Sequence, residues 1–215
     1  MYDLQTTEYT DVAMEDLVQS LTEKMNHKQQ LALTIAVEHL RGDHPDALSL
    51  IISGEDGTGK SFVIQAISKI ARKIPQQNNP GSVAGKYGSV LIAVPTEVAA
   101  FHVGGRTIQS VLNMGGNYII FATTTYKIKN YLGRRGNKSD AVIQRQFSGT
   151  YLVILDEYSM ISAEMLMKLD QFLCKAFPHK RELLFRGCHM VFCGDFCQIP
   201  PVMGTRLYKN NQSEG

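Results

Sequence analysis

An apolar run that stops on a glycine-rich octet is the strongest constraint in this chain. "ALSLIIS" (47–53) leads into "GEDGTGKS" (54–61), and "KSFVIQAISKIARKI" continues with apolar positions at helical spacing. A short apolar run bounded by glycine suits a strand buried on both faces. The octet fits G-x-x-x-x-G-K-[ST] through Gly54, Gly59, Lys60 and Ser61. Glycines permit backbone angles that turn successive N–H groups inward as an anion nest, and the helix that follows adds its positive N-terminal end. The Lys60 ammonium suits the β- and γ-phosphates of a nucleoside triphosphate, and the Ser61 hydroxyl suits Mg²⁺. Strand, loop and helix in this order read as a phosphate cradle.

The remaining pattern extends that unit into a sheet. Residues 12–24 and 27–41 have helical periodicity, and Gly42 marks a stop. Buried strands are expected at "YGSVLIAVP" (87–95), "YLVILD" (151–156) and "CHMVFCGD" (188–195), with an amphipathic helix at 163–177. The segment 76–86 reads as a polar loop. The stretch 115–150 carries no clear period and includes the basic cluster "KIKNYLGRRGNKS", read as an exposed loop. Strands alternating with helices predict an α/β fold, a mostly parallel sheet with helices on both faces.

Composition excludes several classes. The chain has 215 residues, enough for one domain with a sizeable core. Its net charge of +2 is too small to define a nucleic-acid surface, so such a surface would be a local patch. Cys174, Cys188, Cys193 and Cys197 fit no zinc spacing and read as buried, reduced thiols. The N-terminus has acidic residues and no apolar core, and no run reaches the length of a membrane span, so an intracellular protein without a membrane partner is expected.

Three downstream stretches carry chemistry. "YLVILDEYSMIS" ends a strand on Asp156 and Glu157, where ligands bind in an open α/β sheet. Asp156 suits the Mg²⁺ shell, and Glu157 suits orienting and deprotonating an attacking water. "VFCGDFCQIPPV" places Gln198 where a neutral amide could reach the γ-phosphate. Taken alone, Gln198 reads equally well as a surface residue before a turn fixed by Pro200 and Pro201. "VPTEVAAFHVGGRTIQS" (94–110) offers Thr96, Arg106 and Thr107, groups that can grip a phosphodiester chain. Its composition also suits a helix followed by an ordinary loop.

Together these stretches resemble the motor core of the PIF-type (petite integration frequency) DNA helicases. That family lies in the RecD-like, 5′-to-3′ branch of superfamily I and includes helicases of Helitron transposons. Family motifs of the kinds G-x-x-G-x-G-K-S, A-P-T-G-x-A-A-x-x-x-x-G-x-T-x-H-S, IDEISM and G-D-x-x-Q-L-P-P-V are matched by "GEDGTGKS", "VPTEVAAFHVGGRTIQS", "LDEYSM" and "GDFCQIPPV". "MNHKQ" matches an upstream motif whose glutamine reads adenine, here Gln29. The resemblance implies a RecA-like domain that binds ATP and Mg²⁺ through Gln29, Gly54, Gly57, Thr58, Gly59, Lys60 and Ser61. It implies metal and water chemistry at Ser61, Asp156 and Glu157, and γ-phosphate sensing at Gln198. It also implies contacts of Thr96, Arg106 and Thr107 with single-stranded DNA, and duplex junctions as substrates. Roles in repair, recombination and telomere maintenance follow by association. A nuclear location follows in the same way, with mitochondria as the other open compartment.

Glu97 stands where the family has glycine, and Gln109 where it has histidine. A carboxylate beside a DNA backbone would repel it. The organisation expected is a helical extension at 1–24, a first motor domain at 25–208 and a tail at 209–215. A second motor domain with its arginines is expected to lie outside this stretch, normally in cis. The isolated chain is then expected to hydrolyse ATP slowly and not to unwind duplex DNA. The alternative is a non-catalytic nucleotide- or DNA-binding remnant of a transposon helicase.

Overall fold

A computed structural model describes residues 4–42, 46–74, 85–112, 139–180, 182–201 and 204–207. Its elements run α1 (Leu4–Thr22), α2 (His27–Arg41), β1 (Ser49–Ser53), α3 (Lys60–Ala71), β2 (Val90–Val94) and α4 (Glu97–Val103). They continue with β3 (Arg106–Thr107), α5 (Ile108–Val111), α6 (Asp140–Phe147), β4 (Leu152–Asp156), α7 (Ala163–Ala176) and β5 (His189–Gly194). The five strands form one sheet in the order β1-β5-β4-β2-β3, and every pairing is parallel. The α/β expectation therefore holds. The basic cluster of 115–150 lies almost wholly outside the described residues.

Strand period two explains the layers. Successive side chains point to opposite faces, so each strand feeds two cores. Val90, Ile92, Val94, Leu152, Ile154, Val191 and Cys193 join α2, α3 and α4 in one core, and Met14, Leu17 and Val18 of α1 pack on it. Leu91, Ala93, Val153, Leu155 and Met190 face the other way into a core with Ile108, Ile143, Phe147 and Leu169 of the α5, α6 and α7 side. Strands β2 and β4 are apolar at nearly every position because both faces are covered, and all ten of their residues are buried. β1 lies at one edge of the sheet and alternates in exposure. Ile51 lies in register with Phe192 and is 59% exposed, since among the described residues the second helical layer does not reach over the edge.

Local chemistry sets several helix ends. Asn26 caps α2 by accepting the Gln29 amide hydrogen at 3.0 Å, and Gln29 accepts the Asn26 amide hydrogen at 2.9 Å. Gly42 closes that helix at φ 88°, the left-handed angle glycine adopts freely. Ser162 caps α7 through the Met165 amide. The Glu164 carboxylate at the start of α7 accepts the Thr205 hydroxyl at 2.8 Å and its amide. Hydrogen bonds from its own amide, from Ser162 and from Thr205 together outweigh desolvation and hold the carboxyl below its usual range. These bonds and the Ala163 to Thr205 backbone bond hold the last described segment beside α7. α6 fell in the stretch without a clear period. Only Ile143 and Phe147 of its eight residues are fully buried, which leaves little periodic signal to find.

The cysteines differ from the expectation of uniform burial. Cys188 and Cys193 are buried, Cys174 is half-buried and Cys197 is exposed, all as free thiols. The residues before Cys197 turn away from the sheet at its loop edge, so sequence proximity to β5 does not bury it. Among the described residues, no helix is long and apolar enough to cross a membrane.

One buried imidazole makes folding pH-dependent. His189 Nδ1 accepts the Leu48 amide hydrogen at 3.0 Å, so the ring must be neutral on that side. Burial, with the charges of His39 and Lys180 nearby, lowers its pKa to about 4. The unfolded chain takes up this proton near pH 6.5, before the folded one does. Stability is therefore full above pH 6.5 and is lost as pH falls toward 4. Urea unfolding at stepped pH should show a loss on the order of 1 kcal/mol across that window. His189→Asn, whose side-chain oxygen can still accept the Leu48 amide, should flatten that slope while leaving stability at pH 8 within roughly 1 kcal/mol.

Candidate nucleotide site

Parallel pairing gathers the chemistry at one edge. β1, β5 and β4 lie side by side and end together, with Ser53 opposite Gly194 and Cys193 opposite Asp156. The loops that leave these strands carry Lys60, Gln198 and Glu157. The Gly54 amide donates to the Gly194 carbonyl at 3.2 Å, so the cradle starts from the end of β5.

The cradle has the expected backbone. Gly57 and Gly59 adopt φ of 76° and 80°, where a side chain would be strained. At Gly59 a Cβ would also sit 2.5 Å from Gln29 Nε2. Lys60 Nζ donates to the carbonyls of Gly54 at 2.7 Å and Glu55 at 2.8 Å. Thr58 Oγ1 donates to the Glu55 carbonyl at 2.7 Å and braces the same turn. The loop thus curls around its own ammonium. Ser61 stands exposed in the first turn of α3.

Gln29 meets this loop directly. Its Nε2 donates to the Thr58 carbonyl at 2.8 Å while its Oε1 completes the α2 cap. The residue implied to read adenine joins the start of α2 to the phosphate loop, with both ends of its amide engaged.

The carboxylates occupy a costly environment. Asp156 is buried, and desolvation raises its pKa against the opposing pull of the Glu157 amide, the Cys193 thiol and the Lys60 charge. Its Oδ1 accepts the Glu157 amide hydrogen at 2.9 Å. The Cys193 thiol is pushed up in turn by burial and by Asp156. Glu157 sits at φ 52°, a left-handed angle that costs about 1–2 kcal/mol for a residue with a Cβ. Its pKa is raised by desolvation, then by the charges of Asp156 and Asp56. A buried acid of this kind suits a hard cation, and a carboxyl held above its usual range suits a general base.

Gln198 reaches the cradle as well. Its Nε2 donates to Asp56 Oδ1, which closes a link from the turn after β5 to the phosphate loop. Asp195 shapes that turn by accepting the Cys197 amide hydrogen at 2.9 Å. Tyr158 and Phe196 stack edge to face at 4.6 Å and join the turn after β4 to the turn after β5. Gly194 permits the approach, since a Cβ there would lie 2.9 Å from the Tyr158 ring.

The sequence gives no site role to Asp56 or to the Tyr158–Phe196 pair, and it marks Cys193 only as a buried thiol. Asp56 had a signal, as an acid placed inside a loop built for anions. The other three depend on strand register and on the packing of two turns.

The stretch 94–110 lies at the far side of the same edge. Thr96 caps α4 through the Ala99 amide at 3.2 Å. Thr107 is buried, caps α5 through the Ser110 amide, and donates to Glu97 Oε1 at 3.3 Å. Glu97 therefore has a local partner. Arg106 is exposed, with its guanidinium 5.8 Å from the Tyr87 ring centre. Gln109 leaves its Oε1 buried with no hydrogen-bond partner among the described residues.

Known proteins share this sequence pattern and fold. The family model for PIF1-like helicase matches residues 24–213. The ATP-dependent DNA helicase PIF1 of Saccharomyces cerevisiae is 32% identical over 157 residues, which is 72% of this chain and 16% of that protein. The PIF1 helicase of Danio rerio is 29% identical over 184 residues, 82% of this chain and 25% of that protein. The chain thus spans no more than about a quarter of these relatives.

Among solved structures, the Pif1 helicase of Candida albicans superposes with a TM-score of 0.55 at 26% identity, covering 83% of this chain and 34% of that one. A Bacteroides Pif1 bound to single-stranded DNA shares the fold with a TM-score of 0.54 at 22% identity, covering 80% of this chain and 34% of that one. The motifs at the ends of β1, β4 and β5 and the match over 24–213 make this chain a member of the PIF1-like helicase family.

Proposed function

We propose that this chain is the ATP-hydrolysing first motor domain of a DNA helicase. The carrying observation is the convergence of Lys60, Asp156, Glu157 and Gln198 on one loop edge, with Gln198 bonded to Asp56 inside the phosphate loop. ATP is the substrate that fits. The donor set of a buried, desolvated carboxylate beside a Lys60-bearing loop fits Mg²⁺, held by Asp156 and Ser61. Bound there, the ion would neutralise charge that develops on the phosphates.

Each residue then has a defined task. Lys60 exchanges the Gly54 and Glu55 carbonyls for phosphate oxygens. The amides from Gly57 to Ser61 line the anion nest. Glu157 takes the proton of the attacking water, and its raised pKa brings it nearer to working pH. Gln198 turns its amide toward the terminal phosphate. Gln29 supports the loop from α2 and offers a route from the base to the phosphates.

DNA is the second proposed partner. The support is family membership and the exposed Arg106 at the far end of the loop edge. Thr96 and Thr107 contribute as caps that fix α4 and α5, so their backbone turns rather than free hydroxyls face the strand. Unwinding of duplex junctions belongs to the longer helicase, in which a second motor domain supplies charge stabilisation and something to move against. Repair, recombination and telomere maintenance, and a nuclear or mitochondrial setting, are proposed on family grounds alone.

Steady-state ATP hydrolysis with and without single-stranded DNA tests the reading. Glu157→Gln should lower turnover by about 100-fold or more while nucleotide affinity stays within a few fold, and chelation of Mg²⁺ should abolish turnover. Equal turnover in wild type and Glu157→Gln would favour the non-catalytic remnant. Arg106→Ala should weaken binding of a fluorescent oligonucleotide several-fold and lower its salt dependence by about one phosphate contact, with ATP affinity unchanged.

A further inference from the structure

Asp56 is an acid inside a loop that must receive an anion. It is exposed and takes no part in either core. Its Oδ1 accepts the Nε2–H of Gln198, which ties the turn after β5 to the phosphate loop. That turn is itself braced, since the Gln198 amide donates to the Asp195 carbonyl at 3.2 Å and Asp195 Oδ1 accepts from Cys197. Its charge also reaches Glu157.

We infer that Asp56 is a positioning residue that holds Gln198 and sets the discrimination between nucleoside triphosphate and diphosphate. The inference rests on the nucleotide-site reading above. Gln198 offers one amide nitrogen to the terminal phosphate. A carboxylate and a phosphate that share that nitrogen would lie within about 5 Å of each other and repel. The amide nitrogen has two N–H donors, so charge repulsion rather than a lack of donors opens the Asp56 contact when a γ-phosphate arrives. A diphosphate carries no group at that point, so the contact persists. Triphosphate binding is weakened by this exchange, and release of Gln198 reports the γ-phosphate to the Asp195–Pro201 turn.

The test is equilibrium binding of Mg²⁺ with ADP or with adenylyl-imidodiphosphate to wild type, Asp56→Ala and Asp56→Asn. Asp56→Ala should tighten the triphosphate analogue by about 5- to 20-fold and change ADP by less than about twofold. Asp56→Asn keeps an acceptor oxygen without the charge and should fall between. In Gln198→Ala, the gain from Asp56→Ala should shrink, because the held partner is gone. Equal shifts for both nucleotides, or a weaker triphosphate complex, would overturn the Asp56 role and leave the site reading intact. Wild type that binds neither nucleotide would overturn both.

Discussion

Parallel pairing of β1, β5 and β4 is the constraint on which the site depends. Three strands that run the same way deliver their following loops to one edge, and register decides which side chains meet. Ser53 opposite Gly194 sets the phosphate loop beside the turn that carries Gln198. Cys193 opposite Asp156 gives that carboxyl a neighbouring thiol at a buried position. A one-residue slip would turn Asp156 to the other face and bring an apolar side chain in its place. The two cores therefore secure chemistry as well as stability. Val153 and Leu155 pack on one side while Leu152 and Ile154 pack on the other, and together they fix the strand's phase.

The electrostatic arrangement is unbalanced in a useful direction. The charges of Asp156 and Asp56 raise Glu157, and the Lys60 ammonium opposes the rise at both Asp156 and Glu157. Desolvation is the largest effect on Asp156 and on Glu157. Neither acid is comfortable in the free protein, and Glu157 is further held at a left-handed backbone angle. Strain and unpaid desolvation at one place are tolerated where the surrounding packing over-determines the geometry. The Tyr158–Phe196 pair and the tight seat of Gly194 supply that packing immediately next to Glu157.

Much of this was legible in the sequence because the signals were local. The phosphate loop, the apolar strands of the sheet centre and the Gly42 stop follow from spacing and from backbone angles that only certain residues tolerate. β1 was shorter than its apolar run because Ala47 and Leu48 lie before the paired ladder, and Leu48 instead gives its amide to His189. α6 leaves no clear period in the sequence because so little of it is buried. The side-chain links of the site were illegible for a different reason. Gln29 to Thr58, Gln198 to Asp56 and Cys193 to Asp156 join positions far apart in the chain. The first requires α2 to pack beside the phosphate loop and the other two require the strand order β1-β5-β4, neither of which periodicity can supply. Thr96 and Thr107 were visible as hydroxyls, but their use as helix caps depends on where α4 and α5 begin.

The loop groups of the site are already partnered before any nucleotide arrives. Lys60 holds two carbonyls, Gln29 holds the Thr58 carbonyl and the α2 cap, and Gln198 holds Asp56. Nucleotide binding at such an edge is an exchange of hydrogen bonds. Exchange between neutral partners is close to neutral in free energy, whereas exchange of a carbonyl for a phosphate strengthens the bond to Lys60 by adding charge. Replacing Asp56 by a phosphate at Gln198 swaps one anion for another and gains much less. Affinity should therefore come chiefly from the Lys60 end of the cradle, and the state of the nucleotide should be felt chiefly at the Gln198 end. Division of the two roles between opposite ends of one short loop lets a bound nucleotide stay in place while the turn after β5 changes partners.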